Sequence, residues 1–222
     1  MRFVPKRRIP KNAWLPLLII LITHTATYYV PMILTAGHYH YDLTSALDRA
    51  VPFLTISIIP YVLTYPYWYF GFLLSATLEN RHFFHVFTAT ELLHVTTFFI
   101  FLFFPTTLVR PEVSADTFFG WLTTLIYTMD QPTNLFPSMH CYASWMLYIS
   151  VRGQKDIPLW YRRFALIFGI IICLCTQTIK QHYLPDMIVG VALAELYYWA
   201  VGKTKLPEKM QAFFSRHPLF KA

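Results

Sequence analysis

Charge is what this sequence has least of. Only 13% of its 222 residues are charged, against 56% hydrophobic and 18% aromatic, and the mean hydropathy is +0.44. A soluble domain carries roughly 25% charged residues. Half that share cannot coat a water-facing globule, so much of the surface must meet lipid. Acid is the scarcer sign, with 11 Asp and Glu against 18 Lys and Arg. A nucleic-acid partner would need that basic excess on one folded face. Here it falls between apolar runs, which argues against nucleic acid. Cysteine is also rare. Cys141, Cys173 and Cys175 all sit inside apolar segments, which argues against a disulfide framework or a cysteine metal site. The basic start MRFVPKRRIPK is followed by no small-residue cleavage site, so an uncleaved first span is expected rather than a signal peptide. No internal repeat, low-complexity tract or second domain is visible, and 1–222 reads as a single integral membrane domain.

What is there in quantity is apolar length. A helix needs about 20 residues to cross a bilayer. Six stretches qualify or nearly so, at 13–34, 51–74, 83–104, 139–152, 162–180 and 184–202. The expected fold is all-α, a six-transmembrane helical bundle. Between the third and fourth spans, Phe118, Trp121, Leu122, Leu125 and Ile126 recur at helical spacing after a Ser114 cap. That pattern predicts an interfacial helix lying on the membrane, with an ordinary loop as the alternative.

Lys and Arg accumulate in cytoplasmic loops. With six spans, 15 of the 18 basic residues share the side of the two termini, among them Arg2, Lys6, Arg7, Arg81, Arg152, Arg163, Lys203 and Lys221. This places both termini in the cytoplasm of a multi-pass cell-membrane protein. Only Arg49, Arg110 and Lys180 are left on the outer side, where a basic group needs a reason.

The polar residues of that side converge. Arg110 ends the third span, the run FPSMH carrying Ser138 and His140 opens the fourth, and KQHYLPD carrying Lys180, His182 and Asp186 joins the last two. Arg110 offers a planar fork for phosphate oxygens and Lys180 a point charge. Ser138 is a good N-cap, and the amides it precedes form an anion site. Two histidines beside such a site can divide phosphoryl transfer, one attacking phosphorus and one protonating the departing oxygen. Asp186, four residues beyond His182, can hold that ring's tautomer, and Pro185 favours a helix starting near Leu184. His182 is therefore the expected nucleophile and His140 the general acid. Each residue also has a plainer reading: interfacial anchors for the histidines and Arg110, a helix N-terminal charge for Asp186. Two histidines and an aspartate could also hold a metal, but the neighbouring cations favour an anion.

FPSMH and HYLPD resemble the second and third signatures of the type-2 phosphatidic acid phosphatase superfamily, PSGH and SR-x5-H-x3-D, and Arg110–Pro111 resembles the end of its first, K-x6-RP. The resemblance implies a six-span, metal-independent and cofactor-free lipid phosphatase working through a phosphohistidine at the extracytoplasmic face. On matching positions it implies His182, Asp186 and His140 as catalytic, with Arg110 and Ser138 holding phosphate. The first-signature lysine falls at Phe103 and the Ser-Arg pair at Cys175 and Thr176, so Lys180 is expected to replace a missing cation. The motifs are nearer the inositol-phosphotransferase-like branch, which makes a lipid phosphotransferase the alternative. A non-catalytic scaffold or transporter is the alternative from another class.

Other polar groups lie elsewhere. Glu91 and His94 share one face of the third span and are expected to pair, with His24 and Glu195 as further partners. The segment 37–42, Asp48 and Arg49 are expected to rim substrate access. Tyr65, Tyr67, Trp68 and Tyr69 are expected to form an aromatic belt near the inner interface.

Overall fold

A computed structural model describes residues 8–216. Arg2, Lys6, Arg7 and Lys221, on which the orientation argument partly rests, lie outside the described residues. Of the described residues, 72% are helical and 2% are in strands. In order it forms α1 (Trp14–Leu34), β1 (Tyr41–Asp42), α2 (Ala46–Ala50), α3 (Ile58–Ala76), α4 (Asn80–Phe103), β2 (Thr106–Thr107), α5 (Phe118–Met129), α6 (Met139–Arg152), α7 (Leu159–Thr178), α8 (Leu184–Gly202) and α9 (Leu206–Arg216). The strands are one short parallel pair tying the loop after α1 to the loop after α4.

Four of the helices, α1, α4, α7 and α8, are long and apolar enough to cross a membrane. Their outward faces carry Leu21, Ile33, Ile167, Leu174, Ile188 and Trp199, all more than half exposed. A chain folding in water would bury such side chains, whereas lipid accepts them and leaves the backbone bonded within each helix. The apolar stretch 51–74 is helical only from Ile58; residues 55–57 form a single 3₁₀ turn. With 14 residues, α6 is the short one, and it is also the most enclosed. It packs against α3, α4, α7 and α8, and ten of its residues are buried.

Small residues and polar clasps decide how close these helices come. Trp68 of α3 donates its indole N–H to Ser144 of α6 at 2.9 Å. A Cβ on Gly190 of α8 would meet the Ser138 carbonyl at 2.9 Å, so glycine is what lets the starts of α6 and α8 touch. There the Ser138 N–H donates to the Asp186 carbonyl at 3.1 Å. The predicted helix after the third span exists as α5, but its N-cap is Thr117, whose Oγ1 accepts the Gly120 N–H at 3.1 Å. Ser114 bonds Asp116 instead and caps nothing.

Candidate active site

The start of α6 is set by Ser138, whose Oγ accepts the Cys141 N–H at 3.3 Å and stands in for a missing helical bond. This fixes His140 on the first turn. At the other side of the site, α7 ends in a Schellman motif. The Gln181 N–H donates to the Thr176 carbonyl at 2.9 Å and the Lys180 N–H to the Gln177 carbonyl at 3.1 Å. Lys180 holds the left-handed position of that motif, with φ 52°, where glycine is usual. A side chain there costs roughly 1 kcal/mol. It is offset by what Lys180 does, since Nζ donates to the carbonyls of Asp48 at 2.7 Å and Val51 at 2.5 Å. The ammonium thus clasps the loop around α2 and does not line the cavity described below. From the same loop Asp48 accepts the Leu184 N–H at 2.6 Å, so it anchors the 180–184 turn rather than rimming an opening. Burial opposes the charge on Asp48, but hydrogen bonds from Ser45 and the Leu184 amide outweigh it and hold the carboxyl below its usual range.

That turn delivers His182. Its Nδ1 lies 3.0 Å from the Leu135 carbonyl and 3.2 Å from Asp186 Oδ2. Both neighbours are acceptors, so Nδ1 carries the proton and Nε2 the lone pair. Asp186 is fully buried in the first turn of α8, and its Oδ2 also accepts the Tyr183 N–H at 3.0 Å. His182 Nε2 faces His140 Nδ1 at 3.5 Å. Burial lowers the His182 pKa to about 4, with the Arg110 charge helping and Asp130 opposing, so the ring is neutral at physiological pH.

The two rings line a cavity of about 520 Å³, mostly apolar, whose other walls come from α1, α3, α5 and the 133–135 segment. His140 is boxed by aromatics. Tyr61 lies tilted by 30° at 4.6 Å between centroids, Trp68 tilted at 5.2 Å, and Tyr65 edge-on at 6.3 Å. Tyr65 and Trp68 line the cavity, because α3 runs beside α6 with this face inward. Tyr67 is buried in the core, and Tyr69 lines the cavity while largely exposed.

Arg110 stands behind the wall. Its guanidinium donates to the Asp130 carbonyl at 2.5 Å and to Gln181 Oε1, and stacks 4.5 Å from the Tyr127 ring. Gln181, not Arg110, reaches the cavity. Of the six residues singled out from the sequence, His140, His182, Asp186 and Ser138 meet at one place; Arg110 is one residue removed, and Lys180 is turned away. Sequence reasoning missed Gln181 and Asp130. Asp130 is a cavity carboxylate accepting Tyr28 OH at 2.6 Å and Tyr61 OH at 2.7 Å. Its place four residues before Asn134 in the run leading to FPSMH was the available signal. Cys175 and Thr176, where a Ser-Arg pair was sought, are buried away from the cavity, and Phe103 is exposed.

Several buried polar atoms here have no partner: His140 Nε2, Arg110 Nε, Gln181 Nε2, Asn134 Oδ1 and Asp186 Oδ1. Unsatisfied groups at this density mark places that bind something polar. Among the described residues, no group of three or more His, Cys, Asp or Glu is placed to hold a metal ion. Compared with known proteins, the chain matches no family model, no curated protein and no solved structure.

Proposed function

We propose that the chain is a membrane phosphatase for a phosphomonoester or pyrophosphate of a lipid or isoprenoid, acting through a phosphohistidine. The observation that carries this reading is the pair of imidazoles 42 residues apart in sequence, 3.5 Å apart in space, on the wall of a mostly apolar cavity, one of them backed by a buried aspartate. The resemblance of FPSMH and HYLPD to the type-2 phosphatidic acid phosphatase signatures points the same way.

The phosphate enters beside the two rings and displaces their mutual contact. Gln181 Nε2 and the first amides of α6 are the donors nearest it, and Arg110 supplies charge from behind Gln181. His182 Nε2 attacks phosphorus while Asp186 steadies the Nδ1 proton. The bond to the leaving oxygen breaks, and His140, having taken the proton of the incoming phosphate monoanion, gives it to that oxygen. Water then attacks the phosphohistidine and loses a proton to His140, which returns it to the departing phosphate, and both rings end neutral as they began. In this reading α3 and α6 complete six crossings with α1, α4, α7 and α8, and α5 lies in the interface. Both termini are cytoplasmic and the site is extracytoplasmic, following the basic-residue bias.

Purified protein in detergent with EDTA, given phosphatidic acid, lysophosphatidic acid and isoprenyl pyrophosphates, is expected to release inorganic phosphate. Product appearing only when a hydroxylated lipid is added would replace hydrolysis by transfer. No turnover of any substrate would sink both.

A further inference from the structure

A second imidazole chain approaches the same cavity from within the membrane-spanning helices, and the mechanism above does not use it. Glu91 and His94 lie on α4, Thr23 and His24 on α1. Thr23 Oγ1 is 3.1 Å from Glu91 Oε1 and 3.1 Å from His94 Nδ1, and His94 Nε2 is 3.3 Å from His24 Nδ1. His94 is 1% exposed, yet this network leaves none of its side-chain nitrogens or oxygens among the buried unpaired atoms.

The network fixes the tautomers. The Thr23 hydroxyl proton goes to an acceptor that cannot donate, either the Glu91 carboxylate or the Ile19 carbonyl at 2.8 Å. Thr23 Oγ1 is then free to accept, so His94 Nδ1 carries a proton and His94 Nε2 a lone pair. That lone pair accepts from His24 Nδ1–H, which leaves His24 Nε2 as an acceptor. His24 lines the cavity together with His140 and His182. Trp68 is their shared wall, with its ring 4.9 Å from His24 and 5.2 Å from His140 between centroids.

The depth of His24 is set by its neighbour Tyr28. The Tyr28 hydroxyl reaches Asp130, and its carbonyl accepts from Asn134 at 2.9 Å, so Tyr28 lies level with the segment leading into His140. His24 is four residues earlier, about 6 Å further into the helix bundle. A phosphate beside His140 and His182 therefore places the second or third carbon beyond its ester oxygen near His24.

We propose that His24 is a specificity-determining residue that accepts a hydrogen bond from a hydroxyl on that part of the substrate, and that Thr23, Glu91 and His94 are positioning residues that hold its acceptor tautomer. This inference rests on the phosphate position given under the proposed function.

The test compares 1-acyl-glycerol-3-phosphate with an analogue of the same chain lacking the carbon-2 hydroxyl, measuring both kcat/KM and binding to the purified protein. The wild-type protein is expected to prefer the hydroxylated lipid by about tenfold. In His24→Leu the ratio falls towards one. In His24→Gln, whose amide oxygen can accept, part of it survives, and Glu91→Gln lowers it without touching the substrate. A merely structural role for these residues would depress both lipids together and leave the ratio unchanged, which would overturn the assignment. So would equal treatment of the pair by the wild type. Should His24→Leu fail to fold, Glu91→Gln and His24→Gln carry the same comparison. Preferential binding without phosphate release would refute hydrolysis and leave His24 assigned; equal binding with release from both would do the reverse.

Discussion

Two imidazole–carboxylate chains serve one cavity, and they are built in opposite ways. In the outer one, His182 and Asp186 lie four residues apart across a loop and a helix start. In the inner one, Glu91 and His94 lie three apart within the continuous helix α4, 3.6 Å from each other. The inner chain satisfies its own buried atoms through Thr23 and His24 Nδ1, and only His24 Nε2 is left for the cavity. The outer one leaves His140 Nε2 and Asp186 Oδ1 buried without partners. A closed network is rigid and specifies position; an open one retains capacity for a ligand. Chemistry is therefore expected at the outer chain and selection at the inner one.

The largest expected effect is at the proposed nucleophile. His182→Ala should lower phosphate release by at least about 10³-fold with expression intact; retained turnover would break the comparison outright. His140→Gln is expected to cost on the order of 10²-fold on an alkyl phosphate but much less on p-nitrophenyl phosphate, whose leaving group needs no acid. An equal loss on both would remove His140 as the acid. Glu91→Gln is expected to lower turnover by less than about tenfold, since it acts only through His94 and His24; a loss as large as that of His182→Ala would merge the two chains into one catalytic unit. Lys180→Ala should change KM by no more than about threefold, because its ammonium holds the Asp48 and Val51 carbonyls away from the cavity. A much larger rise would return Lys180 to the phosphate. The smallest effect concerns pH. The unfolded chain protonates His182 near 6.5, whereas the folded one resists until about 4. Acidification through that window therefore favours the unfolded state, and the detergent-phase Tm should fall. His182→Gln should make that fall shallower.

How much of this was legible beforehand differs from residue to residue. Helices at 139–152 and 184–202 followed from apolar length and, for α8, from Pro185, because a proline in the first turn loses no helical bond. The i to i+4 reach of Asp186 to His182 was legible for the same local reason. Thr117 displaced Ser114 as the cap of α5 because Ser114 finds Asp116 two residues on, a short-range competition that spacing alone does not rank. Glu195 was offered as a partner for the inner chain but bonds Arg152 at 2.6 Å and Trp145 at 2.9 Å, since α8 turns it towards α6. Asp130 and Gln181 gave no motif signal strong enough to single them out.

The sequence by itself determined that this chain meets lipid with long apolar helices and carries two histidines in motif-like surroundings, because composition and periodicity act over a few turns of chain. Only the tertiary structure decided which cations face the cavity, that α3 supplies the aromatic box around His140, and that His24 shares its wall. Those outcomes depend on the rotation and approach of helices far apart in sequence, set by contacts such as Gly190 against the Ser138 carbonyl. No local pattern encodes them.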